Sequence, residues 1–186
     1  MIYLVKLPMN LIVYVPELRL KGKVRMPILL RRVLFPAFEA LMPILRDADE
    51  DDQRVRSTLA NEAYTTYAAL DGEQLVGAAT MRWQEHEESE IEYIAVAPAL
   101  RGRRYGKEIM ASLLEEARLR NVRAVLVGTG NSSPYHIAFY QKCGFRIDHV
   151  RKDFFDYIQP PIMENGILLR DMLVFRWENE ELTSLQ

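Results

Sequence analysis

The chain has 186 residues and a single cysteine, Cys143, which excludes an intramolecular disulfide and leads us to expect a reducing compartment, the cytoplasm. It has no cysteine and histidine pairs at zinc-binding spacing, and no metal is expected. Charge of one sign is also missing. A formal net charge of −2 gives no field strong enough to hold nucleic acid or an anionic membrane surface, and neither is expected as a partner. Long hydrophobic runs are absent too. The opening stretch "MIYLVKLPMNLIVYVPELRL" is rich in apolar side chains, yet Lys6, Pro8, Asn10, Pro16 and Glu17 interrupt it. It falls short of the roughly 20 uninterrupted residues of a spanning helix, and no small-residue cleavage site of a signal peptide follows. Pro8 and Pro16 each close a short β-rich run, which suits an edge strand or an extended arm.

What is present fits one globular unit. With 49% apolar and 27% charged residues, a chain of this length can bury a single substantial core. Met26 to Val33 reads as a strand, and Pro36 to Glu62 carries helical spacing in two pieces divided at Pro43. The acidic run "DADEDD", Asp47 to Asp52, reads as a solvated loop lending negative charge to the next helix start, with an acidic rim for substrate as the alternative. Two β-rich runs in "YTTYAALDGEQLVGAATMRWQ" flank Asp71-Gly72, a dipeptide that favours a tight hairpin because both positions tolerate positive φ. A third run spans Ser89 to Ala97. The period then changes: Ile109, Leu113, Leu114 and Ala117 share one face of a helix, with charges opposite. Val122 to Gly130 reads as a buried strand, Ser133 to Phe145 as a shorter helix ended by Gly144, and Gly166 to Trp177 as a final strand.

This order predicts an α/β sheet of mixed direction, in which the strand-helix-strand piece from Ile91 to Val127 makes two strands parallel. The segment "IAVAPALRGRRYGKEIM", Ile94 to Met110, then lies where a strand ends and a helix begins, the place where open α/β sheets bind ligands. First-turn N–H groups of a helix lack intrahelical acceptors and carry partial positive charge, so they attract anions. Gly102 and Gly106 allow a phosphate close to the backbone, and Arg101, Arg103, Arg104 and Lys107 add full charges. Local chemistry leaves two readings, a phosphate cradle or a basic, solvated helix start. The Gly-Lys-Ser/Thr end of a Walker loop and the three-glycine dinucleotide fingerprint are both missing, which disfavours a nucleotide-phosphate enzyme.

"VAPALRGRRYGKEIM", Val96 to Met110, resembles the signature of the Gcn5-related N-acetyltransferase (GNAT) superfamily: a strand, Val-x-Pro, then Arg/Gln-x-x-Gly-x-Gly/Ala opening a helix. Arg101 fills the first place of the pattern and Gly106 the last, while Arg104 stands where the pattern usually has glycine. "NSSPYHIAFYQKCGF", Asn131 to Phe145, resembles a second family segment that ends in Tyr-Glu-Lys-x-Gly-Phe, with Tyr140 at the tyrosine and Gly144-Phe145 at the close. The tail from Arg151 to Met172 resembles small bacterial members with Gly-Asn-Ser-Ser and Glu-Asn-Gly segments.

The resemblance implies a GNAT-like fold, a mixed and mostly antiparallel central sheet flanked by helices, with a parallel, splayed strand pair. Residues 1–25 would be an extended arm and 26–186 the GNAT domain. It implies acetyl-CoA as cosubstrate and acetyl transfer to a primary amine of a small-molecule or peptide acceptor. The alternative is a non-catalytic acyl-CoA-binding or regulatory module. The pyrophosphate would be held by the segment Arg101, Gly102, Arg103, Arg104, Tyr105, Gly106 and Lys107. Backbone groups of Ile94, Ala95 and Val96 would pair with pantetheine, and either Asn131 or Ser133 would touch the coenzyme.

Tyr140 is the candidate acid, since a phenol with an ordinary pKa of about 10 can protonate a leaving thiolate. For the base, strand alternation puts Glu90, Glu92, Ile94 and Val96 on one face and Ile91, Tyr93 and Ala95 on the other. Glu92 then shares a face with apolar residues, which raises a carboxyl pKa, while Glu90 aligns with the glutamate of the histone-acetyltransferase branch. Either assists, or both are solvated strand residues. His136 reads as a packing or surface residue, Cys143 as inert, Trp177 as core, and Trp83 as core or part of an acceptor pocket. Loops around Pro36 to Glu62 and Asp153 to Asn165 are expected to hold the acceptor. The arm either packs on its own sheet or exchanges with a second chain, giving a homodimer.

Overall fold

A computed structural model describes residues 27–34, 37–46, 48–49 and 51–183; the arm expected over 1–25 lies outside the described residues. Strand β1 (Leu29–Val33) is followed by a 3-10 turn (Ala37–Leu41), α1 (Met42–Leu45) and α2 (Asp52–Ala60). Pro43 lies in the first turn of α1, where the N–H it lacks has no intrahelical partner anyway, so it opens a new helical piece. Asp51 starts α2 by accepting the backbone N–H groups of Gln53 and Arg54, a cap that contributes about 1 kcal/mol.

Strands β2 (Thr65–Asp71), β3 (Gln74–Arg82) and β4 (Glu88–Val96) form an antiparallel meander. The first hairpin turns one residue later than its Asp-Gly signal suggests: Asp71 pairs with Gln74, so Gly72 and Glu73 make the loop. Gly72 takes φ 61°, which fits a turn with glycine at its first central position. A 3-10 turn (Pro98–Leu100) leads to α3 (Tyr105–Leu119), β5 (Ala124–Gly130) and α4 (Pro134–Lys142).

The last third departs from the single strand expected over 166–177. It holds β6 (Arg146–Arg151), a small hairpin of β7 (Met163–Glu164) and β8 (Ile167–Leu168), then β9 (Met172–Glu178) and the short α5 (Glu180–Thr183). Asn165 and Gly166 turn the small hairpin with φ of 53° and 75°. A two-residue loop with positive φ at both positions is the arrangement that Asn-Gly favours.

The main sheet runs β1-β2-β3-β4-β5-β9-β6, with β4 and β5 parallel and every other neighbouring pair antiparallel. On one face, Ile109, Met110, Leu113 and Ala117 of α3 and Tyr140 of α4 pack with Val76, Ala79, Val125 and Phe175. On the other, Leu41, Leu45 and Val55 pack with Ala68, Ala78 and Tyr93. Each large apolar side chain so buried contributes roughly 1.5–3 kcal/mol.

Gly77 is the tightest point between β3 and the α3 layer. A Cβ there would lie 2.5 Å from the carbonyl oxygen of Ala95 and 2.5 Å from Ile109 Cδ1, and the first of these is backbone that cannot rotate away. Gly77→Ala should therefore lower unfolding free energy by about 1–3 kcal/mol through overpacking, read as a reduced urea midpoint.

Candidate active site

Strands β4 and β5 pair from Glu88 with Ala124 to Ile91 with Val127, and no further. Past that point β4 still pairs with β3 as far as Val96, and β5 still pairs with β9 as far as Gly130. The facing edges of residues 92–96 and 128–130 therefore part, leaving a row of backbone groups on each side. The cause is local. Met81 pairs with Ile91 and Thr80 with Tyr93, so Glu92 is an extra residue in β4, a bulge that bends the strand as pairing with β5 ends. Across the gap, a Cβ on Gly128 would lie 2.3 Å from Met172 Sδ, so only glycine lets that side chain cross β5 there.

The bulge corrects the facing expected from strict alternation. Ile91, Ile94 and Val96 pack on the α3 side, while Tyr93 and Ala95 pack on the side of α1. The two-residue period slips by one at Glu92. Glu92 and Tyr93 consequently sit side by side in the field of Asp49 and Arg54.

The parted strands open into a cleft of about 1200 Å³ that runs from the start of α3 to Ala48, Asp49 and Arg54 on one side and the segment from Phe154 to Glu164 on the other. A separate hollow of about 550 Å³ is lined by Arg118, Arg176 and Glu180, among others, and shares no residue with the cleft. At the α3 end, Gly102 and Arg104 take left-handed φ of 76° and 73°. Arg104 thus adopts the conformation that glycine would supply; its carbonyl accepts the N–H groups of Lys107 and Glu108, and its side chain lies in solvent. Gly106 lets the helix start approach α4, since a Cβ there would stand 3.3 Å from the Phe139 ring. Exposed Arg101, Arg103 and Lys107 surround this helix start, and Tyr105 is buried, its hydroxyl donating to Asp71 at 2.9 Å. These residues fit a pyrophosphate: first-turn N–H groups lie at the cleft mouth, with cationic side chains around them.

At the middle of the cleft, Ile94, Ala95 and Val96 line one wall and Gly128, Thr129 and Gly130 the other. Tyr140 comes from α4, its ring packed on Phe139, Phe145 and Phe175 and only 7% exposed. Burial pushes its pKa above the usual phenol value, with the nearby Cys143 thiol adding to the rise, so it keeps its proton. Cys143 is half-buried, and its own pKa is likewise raised by burial.

Glu90 and Glu92 separate clearly. Glu90 is nearly buried and bound by Arg82 at 2.6 Å and Arg151 at 3.1 Å, one guanidinium on each carboxylate oxygen. Glu92 lines the cleft and makes no ion pair with any described residue; burial first, then the charge of Glu90, raise its pKa above the ordinary carboxyl value.

Asn131 and Ser133 separate too. The Asn131 amide donates to the Leu168 carbonyl and accepts the N–H groups of Arg170 and Asp171, which ties β8 to the end of β5 and takes the side chain out of the cleft lining. Ser133 is buried at the start of α4 and lines the cleft. His136 is exposed at the cleft edge, 3.3 Å from the Thr129 hydroxyl. Trp83 lies away from the cleft, its indole donating to the Tyr67 hydroxyl at 3.0 Å and its ring carrying Arg120 at 4.8 Å. Trp177 is core, stacked with Arg118.

The end of the cleft expected to hold the acceptor contains groups that sequence reasoning passed over. Asp49, within the run read as solvated, has a side chain only 8% exposed; it accepts the Tyr93 hydroxyl at 3.2 Å and stands 3.3 Å from Arg54 Nε. Phe154 and Tyr157 face the same guanidinium. Helical spacing in α2 marks Arg54 only as polar, and nothing local in the sequence links it to residues about a hundred positions away.

A sheet split in this way, with an anion-attracting helix start at one end, has room for a long, thin molecule that carries phosphates. Comparison with known proteins agrees. The acetyltransferase (GNAT) family matches residues 30–145. The uncharacterised N-acetyltransferase YvbK of Bacillus subtilis is 37% identical over 113 residues, 60% of this chain and 71% of that protein. A GNAT acetyltransferase from Elizabethkingia anophelis, solved with acetyl-CoA bound, is 28% identical with a TM-score of 0.71, covering 82% of this chain and 99% of the other. A Bacillus subtilis acetyltransferase in complex with CoA is 32% identical with a TM-score of 0.72, covering 82% and 98%. The chain belongs to the acetyltransferase (GNAT) family. It is an N-acetyltransferase by class, with acetyl-CoA as the cosubstrate of that class.

The left-handed Arg104 yields a direct expectation. An L side chain in that conformation costs about 1–2 kcal/mol, while glycine forfeits about 0.5–1 kcal/mol through the unfolded chain. Arg104→Gly should therefore stabilise the protein by up to about 1 kcal/mol in urea denaturation. Because the backbone shape is retained, its affinity for acetyl-CoA should stay within about 3-fold by calorimetry.

Proposed function

We propose that the protein transfers the acetyl group of acetyl-CoA to a primary amine of a small-molecule or peptide acceptor. One observation carries the reading: the gap between β4 and β5 runs from the α3 start to Glu92. The four residue-to-residue steps of strand from Glu92 to Val96 give a path of about 13 Å, so the pyrophosphate end and the reacting end are set apart along it.

In this reading the segment from Arg101 to Lys107 holds the pyrophosphate, and the free edge of Ile94, Ala95 and Val96 pairs with pantetheine, with Ser133 near it. Acetyl-CoA supplies the activated acyl group. Backbone N–H groups on the open edge polarise the carbonyl that they meet, which lowers the barrier where negative charge develops. Glu92 takes the proton of the incoming ammonium, directly or through water; its raised pKa makes it a stronger base than an ordinary carboxylate. Glu90, held by two arginines, keeps the strand in place. Tyr140 retains its proton and donates to the departing sulfur. Asn131 acts at a distance by fixing the loop that carries Ser133.

Three outcomes test the assignment. Acetyl-CoA should raise the melting temperature, in line with ligand linkage; no shift at saturating concentration would overturn the cosubstrate site. Tyr140→Phe should keep acetyl-CoA binding and lose about 10²-fold or more in kcat for CoA release with an accepted amine; unchanged turnover removes Tyr140 as the acid.

For Glu92, activity should fall as pH drops through a pKa above the ordinary carboxyl value, and Glu92→Gln should abolish that acidic limb. The sign for stability is opposite. A carboxyl whose folded pKa is raised weakens the fold once it ionises, so the effect is absent below the unfolded pKa and complete above the folded one. Glu92→Gln should thus melt higher than wild type at pH 7.5 and alongside it at pH 3.5, while losing activity at the higher pH.

A further inference from the structure

We propose that Arg54 reads a carboxylate on the acceptor, so that the acceptor is a small amino acid-like amine with an apolar or aromatic body. This rests on the acetyl-transfer reading above. Arg54 lines the cleft from the first turn of α2, at the Glu92 end and away from the α3 start.

Its guanidinium is positioned before any ligand arrives. Nε lies 3.3 Å from Asp49 Oδ2, and Cζ stands 5.4 Å and 5.0 Å from the ring centres of Phe154 and Tyr157. Asp49 is in turn fixed by the Tyr93 hydroxyl. Only the Nε edge is engaged. Among the described residues no hydrogen-bond acceptor or further carboxylate meets Nη1 or Nη2, and the side chain, 34% exposed, lines the cleft. An arginine fixed at Nε and by ring stacking presents its two terminal nitrogens as a planar fork. That fork matches a carboxylate through two parallel N–H···O bonds.

Charge limits the anion to one negative unit. A single guanidinium supplies one positive charge, and Asp49 and Glu92 beside it repel the second charge of a phosphate or phosphonate. The same carboxylates favour an ammonium nearby, and Glu92, which feels the charge of Arg54, is the group placed to receive its proton. Phe154, Phe155 and Tyr157 form a ring cluster with centroids 5.0–6.5 Å apart, an apolar wall beside the fork. Ammonium, carboxylate and apolar body thus each find a matching surface at one end of the cleft.

The test measures CoA thiol release with L-phenylalanine, L-phenylalanine amide and the phosphonate analogue of phenylalanine, alongside a panel of other amino acids and simple amines. It compares wild type, Arg54→Lys and Arg54→Met. Wild type should favour free amino acids over their amides by at least about 10-fold in kcat/KM, mainly through KM, because the amide cannot pair with the fork as an anion. Arg54→Met should erase that ratio, and Arg54→Lys should restore part of it, since lysine keeps the charge without the fork. A ratio is insensitive to general loss of activity, so a role for Arg54 as a mere staple between α2 and the aromatic loop predicts no change in it. Should Arg54→Met fail to fold, the ratio in Arg54→Lys carries the test, and one equal to wild type overturns the proposal. So does a wild-type enzyme that prefers amides, phosphonates or simple amines. Silence with every amine, together with no thermal shift by acetyl-CoA, overturns the acetyl-transfer reading instead.

Discussion

The parting of β4 and β5 after Ile91 and Val127 is the constraint on which the rest of the site depends. A parallel pair at the centre of a sheet would ordinarily continue to the strand ends, satisfying every backbone group. Here one extra residue, Glu92, interrupts β4 at the last shared pair, and glycines at 128 and 130 keep β5 thin enough for side chains of Met172 and Leu169 to lie across it. The unpaired edges that result are tolerated because they face an open cleft. The same bulge sets Glu92 beside Tyr93, so the step that opens the sheet also places a carboxyl at its mouth.

Other parts of the molecule hold this opening in shape. Gly77 lets α3 settle against β3, and Gly106 lets the start of α3 approach Phe139 of α4. Asn131, Ser132 and Asn165 bind the β7–β8 hairpin to the loop between β5 and α4: Ser132 donates to Glu164 at 2.7 Å, and Asn165 donates to the Ser132 carbonyl at 3.0 Å. Asn131, a candidate coenzyme contact in the linear sequence, therefore acts as a brace. Each satisfied partner fixes a loop that would otherwise have to be ordered by the ligand, at a cost in entropy.

The reading of the sheet from sequence held where patterns are local. The Ile109, Leu113, Leu114 and Ala117 stripe lies buried as its spacing requires, and Gly144, at φ 92°, follows α4 as a helix-ending glycine should. It slipped where geometry depends on a partner strand. The hairpin after Asp71 turned one residue late because pairing with Gln74 fixed the register, and the strand expected over 166–177 resolved into β8 and β9, with β6 and β7 formed in the stretch before it. Alternation along β4 failed at Glu92 because a bulge is a relation between two strands, and only the mismatch between Thr80–Met81 and Ile91–Tyr93 reveals it.

The sequence by itself determined the class of site. Glycines and cations packed at a helix start, after a strand and before an amphipathic stripe, leave a phosphate cradle or a basic, solvated helix start by short-range rules of backbone freedom and hydrogen bonding, and the resemblance of this segment to the GNAT signature favours the cradle. Tyr140 and Glu90 were visible as candidates through the resemblance of their segments to the family's, and Glu92 through strand alternation. Only the tertiary structure set Glu90 apart from Glu92, and Asn131 from Ser133, because the partners that occupy one member of each pair come from distant segments. It alone brought Asp49, Arg54, Phe154 and Tyr157 together, since charge pairing and ring stacking act through space and leave no period along the chain.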